Sequence, residues 1–192
     1  MIAETLPDNI GRHFKMKITP VQSEAIRHIL FFANREGCTD PRQIAYILAT
    51  AYHEARFQPI PEIRAKPGTQ VWKMQEEYWH TGYYGRGLCQ LTWKKNYQKF
   101  QDLLGLPLVE NPDLVLDVKV SAEILVIGML RGLFSGVSLS RYFPPAPACF
   151  EMMFVGASLF HDYGGSGADC GCYYRNPLYD FFYFFIHRFS DN

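Results

Sequence analysis

The sequence has no excess of charge of either sign: its 192 residues include 19 lysines and arginines and 19 acidic residues. A chain without net charge has no long-range field to attract a polyanion, which argues against nucleic acid and anionic membrane surfaces as partners. Long hydrophobic runs are also missing, because the longest, ILVIGML and FFYFFI, fall well short of the ~20 residues that span a bilayer. We therefore expect a soluble protein.

Cysteines are too few and too scattered for a disulfide framework. There are five, an odd number, and the closest pair, Cys170 and Cys172, lacks the spacing of a zinc knuckle. The first residues contain no apolar stretch of the kind found in a signal peptide. We therefore expect a monomer without a metal, synthesised in the cytoplasm without a signal peptide.

The first part of the chain predicts two helices. Thr19 followed by Pro20 is a helix-start signal, and this helix is expected to end near Gly37. Asp40 and Pro41 repeat the signal for a second helix. The apolar faces are predicted to consist of Val21, Ala25, Ile29 and Phe32 in the first helix and of Ile44, Ile47, Leu48 and Ala51 in the second.

Three prolines between positions 59 and 67 exclude a long helix, so residues 57–82 are predicted to form an irregular lobe with short elements. A further helix is expected to end at Gly105, and the apolar run VSAEILVIGMLRGLF predicts a buried one. The side chains expected on one face of the helix before Gly105 are Trp93, Tyr97, Phe100 and Leu104. The fold class is therefore mainly α.

The second helix leads into the stretch ATAYHEARFQPIPE, residues 49–62, which contains His53, Glu54 and Glu62. A zinc protease would need a second histidine at position 57, which is Phe57. A solvated helix end is the simplest alternative. The prolines, however, allow the chain to fold back so that the two glutamates face each other. Two carboxylates roughly 6.5 to 9.5 Å apart, with a water between them, have the geometry of an inverting glycosidase.

The two carboxylates would need different environments. Glu54 follows the apolar face of a helix, where loss of water raises the pKa of a carboxyl group and keeps it protonated as a general acid. Glu62 is expected on a polar loop, where it would stay ionised and act as the base.

Several motifs together resemble the catalytic domain of glycoside hydrolase family 19, in particular its phage and prophage endolysin-like members. They are ATAYHE, QPIPE, YYGRGLCQLTWKKNY, NPDLVLD and GMLRGLFSG, and the resemblance covers residues 18–143. It implies a lysozyme-like helical domain with two lobes and a cleft. It also implies hydrolysis of β-1,4 bonds in chitin or bacterial peptidoglycan with inversion and without a cofactor.

The resemblance also implies roles for individual residues. Glu54 matches the general acid, Glu62 the second carboxylate and Thr92 the hydroxyl that helps to hold the attacking water. The residues matching the sugar-binding cleft or the position beside the acid are His53, Gln90 and Asn96. We add Tyr84 as a candidate substrate-binding residue, although Tyr83, Tyr84 and Trp93 also suit a core.

Alternatives stay open for several of these residues. Thr92 could simply cap the helix that follows. Arg86 is better explained as an internal ion-pair partner than as a substrate contact. Glu77, or its neighbour Glu76, lies where plant-type family members carry the second carboxylate. The domain itself could be a glycan-binding module without turnover or a structural phage component.

The amino-acid composition of the sequence changes near residue 143. The last 50 residues hold 14 of the 30 aromatic residues and no lysine. We therefore divide the chain into a family 19-like catalytic domain, residues 1–143, and an atypical aromatic-rich segment, residues 144–192. The second segment is expected to be either a divergent lobe or the product of a shifted reading frame.

The protein is expected to act at the bacterial cell wall after release.

Overall fold

The computed structural model describes residues 7–8, 10–12 and 17–143, which form a mainly helical structure as predicted. The helices are α1 (Pro20–Arg35), α2 (Pro41–Ala55), α3 (Gln70–Glu76), α4 (Lys94–Leu104), α5 (Val118–Leu130) and α6 (Leu139–Tyr142). Two 3₁₀ helices, Trp79–Thr81 and Pro112–Leu116, and two short strands, β1 (Ile60–Pro61) and β2 (Arg86–Gly87), are the other elements from residue 17 onward. No helix in these ranges is long and apolar enough to cross a membrane.

The chain divides into two compact units, Met1–Arg141 and Tyr142–Asn192. All the elements up to α5 lie in the first unit. The predicted segment of residues 144–192 lies outside the described residues, so both explanations of its composition stay predictions.

Helix α1 begins at a capping box and packs mainly on α5. The Thr19 hydroxyl accepts a hydrogen bond from the N–H of Gln22 at 3.3 Å, and the Gln22 side chain accepts one from the N–H of Thr19 at 2.8 Å. Gln22 is buried in the first turn and also donates to the Arg56 carbonyl at 2.9 Å. The prediction for Val21 was wrong: it is 43% exposed, because Gln22 takes the inward position. Buried apolar positions include Ala25, Ile26, Ile29, Phe32 and Ala33.

Helix α2 begins at Asp40, whose carboxylate accepts a hydrogen bond from the N–H of Arg42 at 2.9 Å. Of its predicted apolar face, Ile47 and Ala51 are buried, whereas Ile44 and Leu48 are only half-buried. Tyr46 and Ala55 complete the buried side, because the helix turns this face inward rather than the one through residue 44.

The chain reverses after α2 through two left-handed residues, not through the prolines. Arg56 has φ +48° and Phe57 has φ +60°, and the helix has therefore ended before Pro59 is reached. Phe57 is fully buried, which holds this reversal against the core. The segment that follows runs back as β1.

Strands β1 and β2 pair antiparallel, with Ile60 opposite Gly87 and Pro61 opposite Arg86. This register continues by one residue, because the N–H of Glu62 donates to the carbonyl of Gly85 at 2.7 Å. The pairing therefore places Glu62 directly beside the turn of residues 85–91, which contains Gly85 and Gly87.

Helix α5 is buried on most sides and forms a hydrogen bond with that turn. Its N-cap is Asp117, which accepts hydrogen bonds from two backbone N–H groups at 3.0 Å. The buried hydroxyl of Ser121 accepts a hydrogen bond from the N–H of Leu88 at 2.7 Å. The helix ends at Leu130, short of the predicted end at residue 134.

Helix α4 ends at Gly105, as predicted, where φ is +68°. Its Tyr97 and Phe100 are buried, but Trp93 is not part of the buried face. Trp93 precedes the helix with φ +75°, which directs its ring outward and leaves it 39% exposed.

Candidate active site

Glu54 lies in the last turn of α2, and only 16% of its side chain is exposed. Burial raises the pKa of this carboxyl group, as expected, because water no longer stabilises the charged form. His53 acts in the opposite direction and lowers the pKa, since its Nδ1 atom lies 3.5 Å from Oε1 of Glu54. Burial is the larger effect, so Glu54 keeps its proton to a higher pH than an exposed glutamate does.

Glu62 has a different environment, rich in hydrogen-bond donors. Its Oε1 atom accepts hydrogen bonds from the Tyr78 hydroxyl at 2.7 Å and from Nε2 of Gln75 at 2.9 Å. Its Oε2 atom accepts one from the N–H of Gly85 at 2.9 Å. A carboxylate offers about four acceptor positions, so these three donors leave room for one more, on Oε2.

One turn borders both glutamates. Gly85 at its start donates to Glu62, and a side chain there would collide, since a Cβ atom would lie 3.2 Å from Oε2 of Glu62 and 2.9 Å from Oε1 of Gln90. Burial raises the pKa of the Cys89 thiol in the same turn to about 12, and the nearby Glu54, when it is ionised, contributes to this shift. The turn therefore contacts Glu62 and lies near Glu54.

The predicted water-holding residue and cleft residues follow in the chain. The Thr92 hydroxyl donates to the carbonyl of Gln90 at 2.8 Å, and its acceptor positions can still receive a hydrogen bond from water. The capping alternative for Thr92 was wrong, because the N-cap of α4 is Trp93, which makes no side-chain capping bond. The Asn96 amide donates to the carbonyl of Thr92 at 2.8 Å and so fixes this backbone.

Gln90 connects the strands to the turn. Its Nε2 atom donates to the carbonyls of Ile60 and Gly87, each at 3.0 Å. Its φ of +50° is uncommon for a residue with a side chain, and such conformations concentrate at functional sites. The roles of Gln90, Asn96 and His53 towards a sugar stay predictions.

Arg86 is an internal ion-pair partner, as predicted. The residue is 4% exposed, and its Nε atom donates to Asp113 at 2.8 Å. Its Nη1 atom donates to the Tyr97 hydroxyl at 3.1 Å and to the carbonyls of Gly82 and Tyr84. Arg86 therefore fixes the wall of the turn rather than presenting its charge to a ligand.

Tyr84, predicted as a substrate-binding residue, has its ring engaged in packing. It stacks on Trp79 with ring centroids 4.5 Å apart, and the Arg86 guanidinium lies 3.9 Å from its centroid. Because these contacts occupy the ring, the geometry does not favour the stacking of a sugar on Tyr84. Its role in binding stays a prediction.

The alternative second carboxylates differ from Glu62. Glu76 forms an ion pair with Arg64, and Glu77 is exposed at the end of α3. Neither is surrounded by donors as Glu62 is in the described residues. Among those residues, there is also no cluster of three or more acidic, histidine or cysteine side chains that could hold a metal.

The chain is similar to known chitinases over part of its length. Residues 37–127, just under half of the chain, match the family model of glycoside hydrolase family 19, chitinase class I. An endochitinase of Arabidopsis thaliana is 35% identical over 88 residues, 44% of this chain and 30% of that protein. Chitinase 11 of Oryza sativa subsp. japonica is 70% identical over 33 residues, 17% of this chain and 13% of that protein. No solved structure gives a significant match.

The segment from residue 37 to residue 127 thus matches the glycoside hydrolase family 19 domain that the motifs predicted. It contains α2, both strands and most of α5, and with them every candidate catalytic residue. The chain spans less than a third of the length of the plant relatives that it matches. The assignment to the phage and prophage members of the family stays a prediction.

Proposed function

We propose that the protein hydrolyses β-1,4 bonds in polymers that contain N-acetylglucosamine, with inversion at the anomeric carbon. The observation that carries this proposal is the contrast between two carboxylates that border one turn. Glu54 is mostly buried and has a raised pKa, whereas Glu62 is surrounded by three hydrogen-bond donors. An acid and a base held in separate environments are what this reaction requires.

In the proposed reaction, Glu54 donates its proton to the glycosidic oxygen as the bond to the anomeric carbon breaks. A water molecule attacks that carbon from the opposite face, and Glu62 accepts the proton that this water loses. Thr92 supports the step because its hydroxyl can accept a hydrogen bond from the same water. Both glutamates return to their starting states when the product leaves and a proton is exchanged with solvent.

The substrate class follows from the family and the named relatives, which are chitinases. We propose chitin-like glycan as the minimal substrate, and bacterial peptidoglycan, which shares the β-1,4-linked N-acetylglucosamine unit, as the natural one for a phage lysis enzyme. In that role the protein would be made in the cytoplasm and reach the wall after release.

The test compares two substrates with one preparation of the full chain. Release of soluble sugar from colloidal chitin is measured beside the loss of turbidity of permeabilised bacterial cells. Hydrolysis of either polymer supports a glycosidase, and the ratio of the two rates identifies the preferred substrate. Binding to the polymers without release of products would instead favour a glycan-binding module, and virion association without either would favour a structural component.

A further inference from the structure

Glu62 is held by two side chains for which the sequence analysis predicted no role. Gln75 is the penultimate residue of α3, and Tyr78 follows that helix. Both donate to the same atom, Oε1 of Glu62, at 2.9 and 2.7 Å. Because they lie 13 and 16 positions further along the chain, their contact with Glu62 is created by the fold of the lobe.

The orientation of the Gln75 amide is fixed from both ends. The residue is 2% exposed, and its Oε1 atom accepts a hydrogen bond from the N–H of Ala65 at 2.7 Å. Its Nε2 atom donates to the carbonyl of Ile63 at 2.9 Å as well as to Glu62. The amide therefore cannot flip without losing bonds to the backbone, and it presents a donor to Glu62 permanently.

Tyr78 is fixed as a donor by its surroundings. Burial, and then the hydrogen bond to Glu62, raise the pKa of the Tyr78 hydroxyl, so the proton stays on the phenol. The Trp93 ring packs edge-on against the Tyr78 ring with centroids 5.2 Å apart. Trp93 holds this place with φ +75°, which is rare for an aromatic residue and indicates a constrained backbone.

We propose that Gln75 and Tyr78 are positioning residues for Glu62, which hold Oε1 and leave Oε2 as the atom that accepts the proton from water. Oε2 has one donor among the described residues, the N–H of Gly85, and it faces the turn that borders Glu54. This inference rests on the proposed function, since it assigns the direction from which Glu62 acts as a base. It adds two residues and one specific oxygen atom to that function.

The same two contacts satisfy Oε1 of Glu62 as a hydrogen-bond acceptor, because both partners are donors. The other charged groups that act on this cluster are Arg64, which favours negative charge, and Glu77, which opposes it. Replacing Tyr78 with phenylalanine leaves both of those charges in place, so the effect of the hydroxyl can be measured by itself.

The test uses Tyr78→Phe and Gln75→Glu in the full chain, with pH profiles of kcat/KM on a soluble chitin oligosaccharide. The acid limb reports the base in the free enzyme, and activity falls there as the base becomes protonated. We expect this limb to move to higher pH in Tyr78→Phe, which removes one donor from Glu62, and further in Gln75→Glu, where two carboxyl groups share one site. We expect kcat to fall about tenfold in Tyr78→Phe, with a small change in KM.

Tyr83→Phe is the matched control. It removes a tyrosine hydroxyl from the neighbouring loop, where that hydroxyl donates to the carbonyl of Val109 and not to Glu62. Its acid limb is expected to stay at the wild-type position. An equal shift in Tyr83→Phe and Tyr78→Phe would mean that the effect is a general loosening of the lobe, and would overturn the inference.

A second measurement does not depend on turnover. The carboxyl ¹³C signal of Glu62, identified by its loss in Glu62→Gln, is titrated by NMR in the wild type and in Tyr78→Phe. A higher pKa of Glu62 in Tyr78→Phe supports the inference even if no polymer is hydrolysed, in which case the proposed function alone fails. A pKa of Glu62 that is the same in Tyr78→Phe and in the wild type overturns the inference, whatever the activity of the two proteins. This result does not depend on whether Gln75→Glu folds.

Discussion

Glu62 and Gly85 are joined by two reciprocal hydrogen bonds. The N–H of Glu62 donates to the Gly85 carbonyl at 2.7 Å, and the N–H of Gly85 donates to Oε2 of Glu62 at 2.9 Å. One glycine therefore fixes both the backbone and the carboxylate of the candidate base. A residue with a side chain would have to displace Gln90 or Glu62, because its Cβ atom would lie 2.9 Å from Oε1 of Gln90 and 3.2 Å from Oε2 of Glu62.

We predict that Gly85→Ala loses at least tenfold in kcat/KM and about 1 to 3 kcal/mol in the free energy of unfolding, because the methyl group must displace Gln90 or Glu62. Steady-state kinetics and urea denaturation measure the two effects. Gly105→Ala is the control: it strains a left-handed glycine far from the site and is expected to lose stability but not activity. Wild-type kinetics in Gly85→Ala would show that the turn does not position the base.

Glu54→Gln is predicted to be inactive, because an amide cannot protonate the leaving oxygen and general acid catalysis contributes about 10² to 10⁴ in rate. It is also predicted to be more stable than the wild type. The folded-state pKa of Glu54 is raised, so the wild type bears the cost of an ionised buried carboxylate as the pH rises. Thermal melts at several pH values measure this.

The sign of that stability difference is specific. Below the unfolded-state pKa of Glu54 the carboxyl group is protonated in both states, so no cost of ionisation arises there. The advantage of Glu54→Gln in melting temperature should then grow as the pH rises from the unfolded-state pKa to the folded-state pKa, and should level off above it. A constant difference at all pH values would mean that burial does not control the ionisation of Glu54.

Glu62→Gln and Glu77→Gln together identify the second carboxylate. We expect Glu62→Gln to lose most of its activity while still binding glycan, and Glu77→Gln to stay within about threefold of the wild type, because Glu77 is exposed and lies outside the donor cluster. Binding to insoluble chitin and hydrolysis rates are measured on the same samples. The opposite pattern would assign the base to Glu77 and place the reaction in the plant-type geometry.

Arg86→Lys is predicted to destabilise the fold by about 2 to 4 kcal/mol, although the charge is retained. A lysine cannot reach the four acceptors that the buried guanidinium bonds. Asp113→Asn is the control, because Asp113 is mostly exposed and its loss of charge is expected to cost less than about 1 kcal/mol. Equal costs in urea denaturation would mean that the exposed ion pair, not the buried network, holds the turn.

The helix starts could be predicted because their causes are local. Thr19 and Asp40 cap the helices that begin one residue later, and each signal lies within three residues of its effect. The raised pKa of Glu54 could be predicted for the same reason, since it follows the buried face of its own helix.

The structural features that the sequence did not predict depend on contacts between segments that are distant along the chain. Phe57 adopts φ +60°, a conformation typical of glycine, so its residue type does not predict the chain reversal. Gln75 and Tyr78 became visible as partners of Glu62 only when the lobe was folded. A capping role was an alternative for Thr92 because of its position, but the helix begins one residue later and its N-cap is Trp93.

The stereochemistry of the first product tests the central claim most directly. Hydrolysis of a β-1,4-linked N-acetylglucosamine hexamer by the wild-type chain is followed by ¹H NMR before the anomers interconvert. Glu54 as acid and Glu62 as base on opposite faces of the bond predict that the newly formed reducing end is the α anomer. The β anomer as the first product would mean a retaining reaction, and would contradict the account.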